Sequence, residues 1–317
     1  MKLNYIKIVA IGDSITYGYP YENVQSWLNM AADRFNIEYM NRGINGDTTE
    51  GMLDRFERDV LRHKTSHVII MGGTNDAYAG TPVDQVIKNI CDMVGLALEN
   101  GVIPVIGLPI PCNDVAEETL MNQYRQQMRR YASDKNIEVI DFQDAMVDSS
   151  GMKIKDNMHC DGVHPNEVGY ETMADVAGNF FLKTLVDARV HDYYWNDDFS
   201  CAITTLKILS EIYRCDLQPQ VMEAAYGLNA GRLASQCGLV EGALMFIGVY
   251  ARQRGYDGTA ITELCHKFSR NFQAEFGSVL CKELRPEGFS LDNPPHLCEN
   301  LTKRAVTFSV RFVGNEV

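Results

Sequence analysis

The sequence predicts a three-layer α/β fold, with a parallel five-stranded sheet covered on both faces by helices, followed by an all-α segment. Three observations carry this. Between residue 5 and about residue 188, short apolar runs alternate with longer amphipathic stretches, the pattern of parallel strands joined by crossover helices. The five runs are continuously apolar at their centres, as a doubly covered sheet requires. After "HDYYWNDDFS" (191 to 200) no further β-branched run appears and a 3.6-residue period takes over.

In order, the strands are read from "YIKIVAIG" (5 to 12), "IEYMNRG" (37 to 43), "HVIIMGG" (67 to 73), "VIPVIGLPI" (102 to 110) and "IEVIDF" (137 to 142). The intervening spacing predicts helices over 24–35, 48–61, 82–98 and 114–133, and a last one over 166–187. The second half is expected to form helices over 201–213, 220–226, 239–254, 259–276 and 295–312. A boundary near residue 190 divides the chain into domains 1–190 and 195–317.

Composition excludes several classes of function. At 317 residues, 45% apolar and 22% charged, the chain has the make-up of a soluble globular protein. Its net charge of −13 would repel phosphate backbones and anionic lipid, so no nucleic acid and no membrane partner is expected. The N-terminal apolar stretch is too short for a secretory signal, and no run approaches the ~20 residues of a membrane span. Nine cysteines, an odd number, point to thiols, metal ligands or redox groups in a cytoplasmic protein rather than a disulfide scaffold.

The first strand ends at Gly12-Asp13-Ser14. In open α/β sheets, ligands bind beyond the carboxyl ends of the strands, and a serine opening the next helix turns its hydroxyl into that crevice. One reading of Ser14 is a helix N-cap; the other is a nucleophile, which needs a histidine base held by a carboxylate. "HCDGVHPN" (159 to 166) offers Asp161 and His164 in one loop, where Asp161 can reach Nδ1 while Nε2 faces Ser14, and Pro165 keeps the loop extended. His159 is a rival base that reads as a loop histidine, and Cys160 reads as incidental. A tetrahedral intermediate also needs oxyanion donors; "NRGINGDT" offers Gly46 and "MGGTND" offers Asn75 at the ends of the second and third strands.

These residues form four ordered blocks: Gly12-Asp13-Ser14, Gly46, Gly73-Thr74-Asn75-Asp76 and Asp161-Gly162-Val163-His164-Pro165. In this the chain resembles the SGNH (GDSL-type) hydrolases, with Ile15 where the family label has leucine. The resemblance implies a flavodoxin-like strand arrangement, Ser14 as nucleophile, His164 as base and Asp161 as its orienter. It also implies the Ser14 N–H, the Gly46 N–H and Asn75 as oxyanion donors, with no cofactor for hydrolysis. Asp13, Tyr17, Tyr19, Asp76 and the loop 109–113 are expected near the substrate.

In the second half, Cys201, Cys237, Cys281 and Cys298 lie near predicted helix ends with no Cys-x-x-Cys pair, so a shared site would have to be assembled from separate helices. Cys91, Cys112, Cys215 and Cys265 read as packing residues. "CGLVEGALMFIG", "EFGSVLCKEL" and "HLCENLTKRA", over roughly 195–313, resemble a four-cysteine family regarded as redox-active and marked by Cys-Gly-Ala-x-x-Gly, with Leu239 in place of the alanine. That resemblance implies a metal site, with an iron–sulfur cluster preferred over zinc for an all-thiolate set, or thiol–disulfide exchange.

The leading expectation is a serine esterase acting on a small acyl ester, such as a carbohydrate O-acetyl ester, through an acyl-enzyme. The alternative is a redox or metal-sensing protein whose four-cysteine domain carries the main function.

Overall fold

The computed structural model of the chain describes residues 6–228, 235–285, 287–288 and 296–317. Five parallel strands, β1 (Lys7–Gly12), β2 (Glu38–Gly43), β3 (His67–Met71), β4 (Ile103–Leu108) and β5 (Glu138–Asp141), form one sheet in the order β2-β1-β3-β4-β5. This is the flavodoxin-like order, whose switch point lies between β1 and β3. Burial follows position in the sheet. Ile8 to Ile11 of β1 and all of β3 are buried, whereas β2, at one edge, is only half-buried.

Between the strands lie α1 (Ser14–Tyr17), α2 (Trp27–Arg34), α3 (Thr49–Asp54), α4 (Phe56–Asp59), α5 (Thr74–Tyr78), α6 (Val83–Glu99), α7 (Val115–Lys135), α8 (Phe142–Met146) and α9 (Glu167–Trp195). Val9, Ile11, Val68, Ile70 and Ile106 pack in one cluster with Met52 and Phe56, with Val86, Ile90 and Met93 of α6, and with Met121 and Tyr124 of α7. The alternate residues Ile8, Ala10, Ile69 and Val105 are equally buried and serve the opposite face, as the two-residue strand period dictates.

Three helices expected in the first half differ from the sequence expectation. The stretch 24–35 is broken at Ser26, whose hydroxyl caps α2 by accepting the Asn29 N–H; a single 3₁₀ turn, Asn23–Gln25, precedes it. The stretch 48–61 is split into α3 and α4 at Arg55, whose side chain is buried among polar partners described below. The helix expected to end near 187 continues to Trp195. Contacts divide the chain into two compact units, and the division falls at Leu182, inside α9.

The second unit contains α10 (Cys201–Ile212), α11 (Pro219–Ala225), α12 (Gly238–Gln253), α13 (Gly258–Phe276), α14 (Cys281–Leu284) and α15 (Glu299–Glu316). The helix expected from 295 begins at Glu299, and residue 295 lies outside the described residues. An aromatic cluster of Phe268, Phe272 and Phe276 from α13 with Phe308 and Phe312 from α15 closes its core. Among the described residues, no helix is long and apolar enough to cross a membrane.

One buried ion pair braces the loop after β4. Arg125 and Glu118 of α7 are both wholly buried and hydrogen-bonded to each other; Glu118 also accepts the Cys112 N–H at 2.9 Å, and Arg125 donates to the Ile110 carbonyl at 3.2 Å. Arg125→Met would leave Glu118 buried without its partner, and a loss of about 3 kcal/mol is expected in urea unfolding. A loss below about 1 kcal/mol, as at an exposed pair, would contradict this account of the loop.

Candidate active site

Sequence dictates an abrupt turn after β1. Asp13 adopts an extended backbone and its Oδ1 accepts the Ile15 N–H at 2.9 Å, so the N-cap of α1 is Asp13 and not Ser14. With capping done by its neighbour, Ser14 keeps its hydroxyl free, and Oγ lies 3.0 Å from His164 Nε2. His164 Nδ1 lies 2.8 Å from Asp161 Oδ2, while Asp161 Oδ1 accepts the N–H groups of Val163 and His164 at 2.9 and 2.8 Å. These bonds fix the carboxylate and with it the ring. The partners assign the proton to Nδ1, leaving the Nε2 lone pair for the serine hydroxyl. Partial burial raises the Asp161 pKa, but the bonds from His164 and Val163 outweigh it and hold the carboxyl below its ordinary range. Tyr19, 42% exposed, packs edge-on against the His164 ring at 4.6 Å, and its carbonyl accepts the Tyr170 hydroxyl at 2.7 Å.

Gly46 and Asn75 come together from the ends of β2 and β3, the two strands that flank β1. Gly46 sits in the turn closed by Asp47 N–H to Ile44 C=O at 3.2 Å, with φ of +76°, a conformation that favours glycine. A Cβ there would meet nothing within 4 Å, so the side of the turn that it would occupy is open. Asn75 donates one amide hydrogen to the Asp47 carbonyl at 2.9 Å, which orients the carboxamide and leaves its second N–H available.

Asp13 and Asp76, expected at the substrate, are instead turned into the scaffold, each 1% exposed. Asp76 accepts the Thr49 hydroxyl at 2.7 Å and the Thr49 N–H at 3.0 Å, and Asn89 donates to the same hydroxyl at 3.0 Å. Burial raises both carboxyl pKa values, that of Asp13 to about 6. Tyr17 is half-buried in α1. His159 is held in place by the Gly162 N–H on Nδ1 at 2.9 Å and by Asn113 Nδ2, 3.2 Å from its Nε2, so it links loop 109–113 to the Asp161–His164 loop. Cys160 is exposed, 3.9 Å from the Tyr21 hydroxyl.

Sequence reading missed Arg55, Asp47 and Thr49, which support this loop cluster from behind. A signal for the first two was present. Asp47 directly follows Gly46, and an arginine eight residues on is an acid–base pair at a spacing that a bent helix brings together.

In the second unit, all four singled-out cysteines sit at helix starts: Cys201 and Cys281 open α10 and α14, and Cys237 and Cys298 precede α12 and α15. An isolated antiparallel bridge, Gln236 to Leu280, with Cys237 N–H on Val279 C=O at 2.8 Å, sets Cys237 beside Cys281. The Cys237 thiol contacts both Cys201 and Cys281; the Cys201 contact pushes it up to about 12, and the Cys237 contact and burial raise Cys281. Burial raises Cys298 as well. Among the described residues no group of three or more His, Cys, Asp or Glu side chains is arranged to hold a metal ion. Cys201, Cys237, Cys281 and Cys298, expected to hold a metal or an iron–sulfur cluster, form no such group here.

Comparison with known proteins adds the following. A model of the GDSL-like lipase/acylhydrolase family matches residues 10–172, and one of the family described as "Putative redox-active protein (C_GCAxxG_C_C)" matches 199–312. Among curated proteins, the chain is 35% identical over 120 residues to the uncharacterized lipoprotein YqeF of Bacillus subtilis, covering 34% of this chain and 49% of that protein. It is 27% identical over 113 residues to an arylesterase of Vibrio mimicus, covering 34% and 56%. The chain thus spans about half the length of the curated relatives it matches. Among solved structures, a G-D-S-L family protein from Desulfitobacterium hafniense is 33% identical, with a TM-score of 0.52 over 55% of this chain and 98% of that one. Another from Veillonella parvula is 28% identical, with a TM-score of 0.51 over 56% and 98%.

The buried Asp13 carboxyl makes stability depend on pH. In the unfolded chain it titrates near 4, in the folded protein near 6, so the unfolded state ionises first and stability falls as pH rises between the two values. Above pH 6 the cost is constant, on the order of 3 kcal/mol. Asp13→Asn keeps an acceptor for Ile15 and removes that cost. Its unfolding free energy is expected to match the parent near pH 4 and to exceed it increasingly up to pH 6 to 7. A difference independent of pH would contradict the assignment.

Proposed function

Because the chain belongs to the GDSL-like lipase/acylhydrolase family, we propose that it is a serine esterase that cleaves a small acyl ester through an acyl-enzyme on Ser14. The observation that carries the reading is the hydrogen-bonded series Asp161–His164–Ser14, at 2.8 and 3.0 Å. Ser14 Oγ attacks the acyl carbonyl while His164 Nε2 takes its proton, and Asp161 stabilises the resulting imidazolium. The negative oxygen of the tetrahedral intermediate is met by the N–H groups of Ser14 and Gly46 and by the free Asn75 amide hydrogen. Collapse breaks the ester C–O bond, and His164 returns the proton to the departing alcohol. Water, deprotonated by His164, then attacks the acyl-enzyme, releasing the acid and restoring Ser14.

Among small esters, a carbohydrate O-acetyl ester is the favoured substrate class. The exposed Tyr19 ring beside His164 offers an apolar face of the kind that packs on a sugar ring, with a hydroxyl at its rim. We place the chain in the cytoplasm, a reducing compartment in which its nine free thiols persist.

A second reading gives the helical unit a redox role. It is supported by the contact of Cys237 with Cys281 across the Gln236–Leu280 bridge. Oxidation would remove one hydrogen from each thiol and join the two sulfurs, with the two electrons and two protons passing to a small-molecule disulfide that leaves as two thiols.

The hydrolytic reading is tested with a panel of short acyl esters and acetylated sugars. Ser14→Ala is expected to lower kcat by at least about 10³-fold on whichever ester the parent cleaves. Equal rates from parent and variant would overturn it. For the redox reading, exposure to oxidised glutathione followed by alkylation and peptide mapping is expected to yield a Cys237–Cys281 cross-linked peptide. Both sulfurs singly alkylated would contradict it.

A further inference from the structure

We propose that Arg55 and Asp47 are positioning residues of the hydrolysis, a buried ion-pair strut that holds the Gly46 N–H and the Asn75 amide against the developing oxyanion. The proposal rests on the serine-esterase reading above.

Gly46 has no side chain to hold it, and a Cβ there would meet nothing within 4 Å. Its position is set by Asp47, the residue that follows. Asp47 Oδ2 accepts from Arg55 Nε at 2.7 Å, Oδ1 accepts the Thr48 N–H at 3.1 Å, and the Asp47 carbonyl accepts from Asn75 at 2.9 Å. Both side-loop donors for the oxyanion are therefore tied to one residue.

Arg55 ties that residue to the sheet. It is 7% exposed, and its guanidinium donates to the Gly12 carbonyl at 2.9 Å, to the Arg42 carbonyl at 2.9 Å and to Asp59 Oδ2 at 3.0 Å, besides Asp47. Gly12 ends β1, two residues before Ser14, and its carbonyl also accepts the Ile44 N–H that opens the Gly46 turn, at 3.0 Å. The nucleophile's strand, the end of β2 and the oxyanion loop thus meet on one planar, permanently charged fork, which fixes several directions at once where an ammonium ion would fix few. Helix α3 makes room for the strut. A Cβ on Gly51 would fall 2.1 Å from Asp47 Oδ1, so only glycine admits the carboxylate in this place. Displacement of oxyanion donors by a fraction of an ångström weakens transition-state binding while leaving the ester's ground-state contacts intact.

The test uses the full chain with p-nitrophenyl acetate, measuring kcat, KM and melting temperature for the parent, Asp47→Asn, Arg55→Lys, Gly51→Ala and Asp59→Asn. Asp47→Asn, Arg55→Lys and Gly51→Ala are expected to lower kcat by about 10- to 100-fold with KM within about twofold. Gly51→Ala is the discriminating variant, because alanine favours helix over glycine and leaves both charges in place while its methyl displaces the carboxylate. Asp59→Asn removes an ion pair of the same guanidinium from α4, and is expected to lower the melting temperature while keeping kcat within about twofold. Folded Asp47→Asn and Gly51→Ala proteins with the parent's kcat would overturn the proposal, as would an Asp59→Asn loss equal to that of Asp47→Asn. Activity that survives Ser14→Ala in the parent background would overturn the hydrolytic reading and the strut's role together.

Discussion

Parallelism of the sheet is the constraint on which the candidate site depends. When all strands run the same way, their carboxyl ends emerge along one edge, and residues far apart in sequence are delivered to it by consecutive loops. Ser14 follows β1, Gly46 follows β2 and Asn75 follows β3. The loop that carries Asp161 and His164 precedes α9 and closes on the same edge by the Ser14–His164 contact. Reversing any one of these strands would send its loop to the opposite edge.

A sheet edge brings loops near one another but does not fix them to a few tenths of an ångström. Buried polar groups do that here. Asp13 caps the serine's helix, Asp76 holds Thr49 and Asp47 takes Arg55, while the exposed Asp161 holds its own loop as well as the imidazole. Several carboxylates in a small volume repel one another, and burial adds to that cost. The Arg55 guanidinium offsets part of it for Asp47, while Asp13 responds by holding its proton to higher pH. Holding these loops by buried carboxylates therefore comes at some expense in stability.

The core of the fold was legible because its strands are continuously apolar and its longer helices keep a clean period. The residues 8–11 and 67–71 are buried in the places that pattern implies. Motif spacing likewise singled out Ser14, Gly46, Asn75, Asp161 and His164, which the fold gathers. What escaped were features set by single side chains acting against the local pattern. The apolar period runs through Arg55 without a gap, yet the guanidinium's pull toward four polar partners splits the helix there. Ser14 carries the cap residue type, but Asp13 reaches Ile15 first. Asp13 and Asp76 are polar residues beside a crevice, and whether such a group faces substrate or backbone depends on loop geometry that composition does not encode. In the second unit, the adjacency of Cys237 and Cys281 arises from one isolated bridge between two short segments, too brief to leave a periodic trace.

The two units make different chemical demands on the chain. One brings Ser14, His164 and Asp161 into a hydrogen-bonded series, the other sets Cys237 beside Cys201 and Cys281, and each set lies within its own unit. The central claim concerns the first, and it is tested most directly by trapping. Incubation of the full chain with a p-nitrophenyl alkylphosphonate, followed by digestion and mass spectrometry, should yield one phosphonyl adduct on the peptide containing Ser14, formed in step with loss of esterase activity. Loss of activity without modification of Ser14, or an adduct at another residue, would contradict the account.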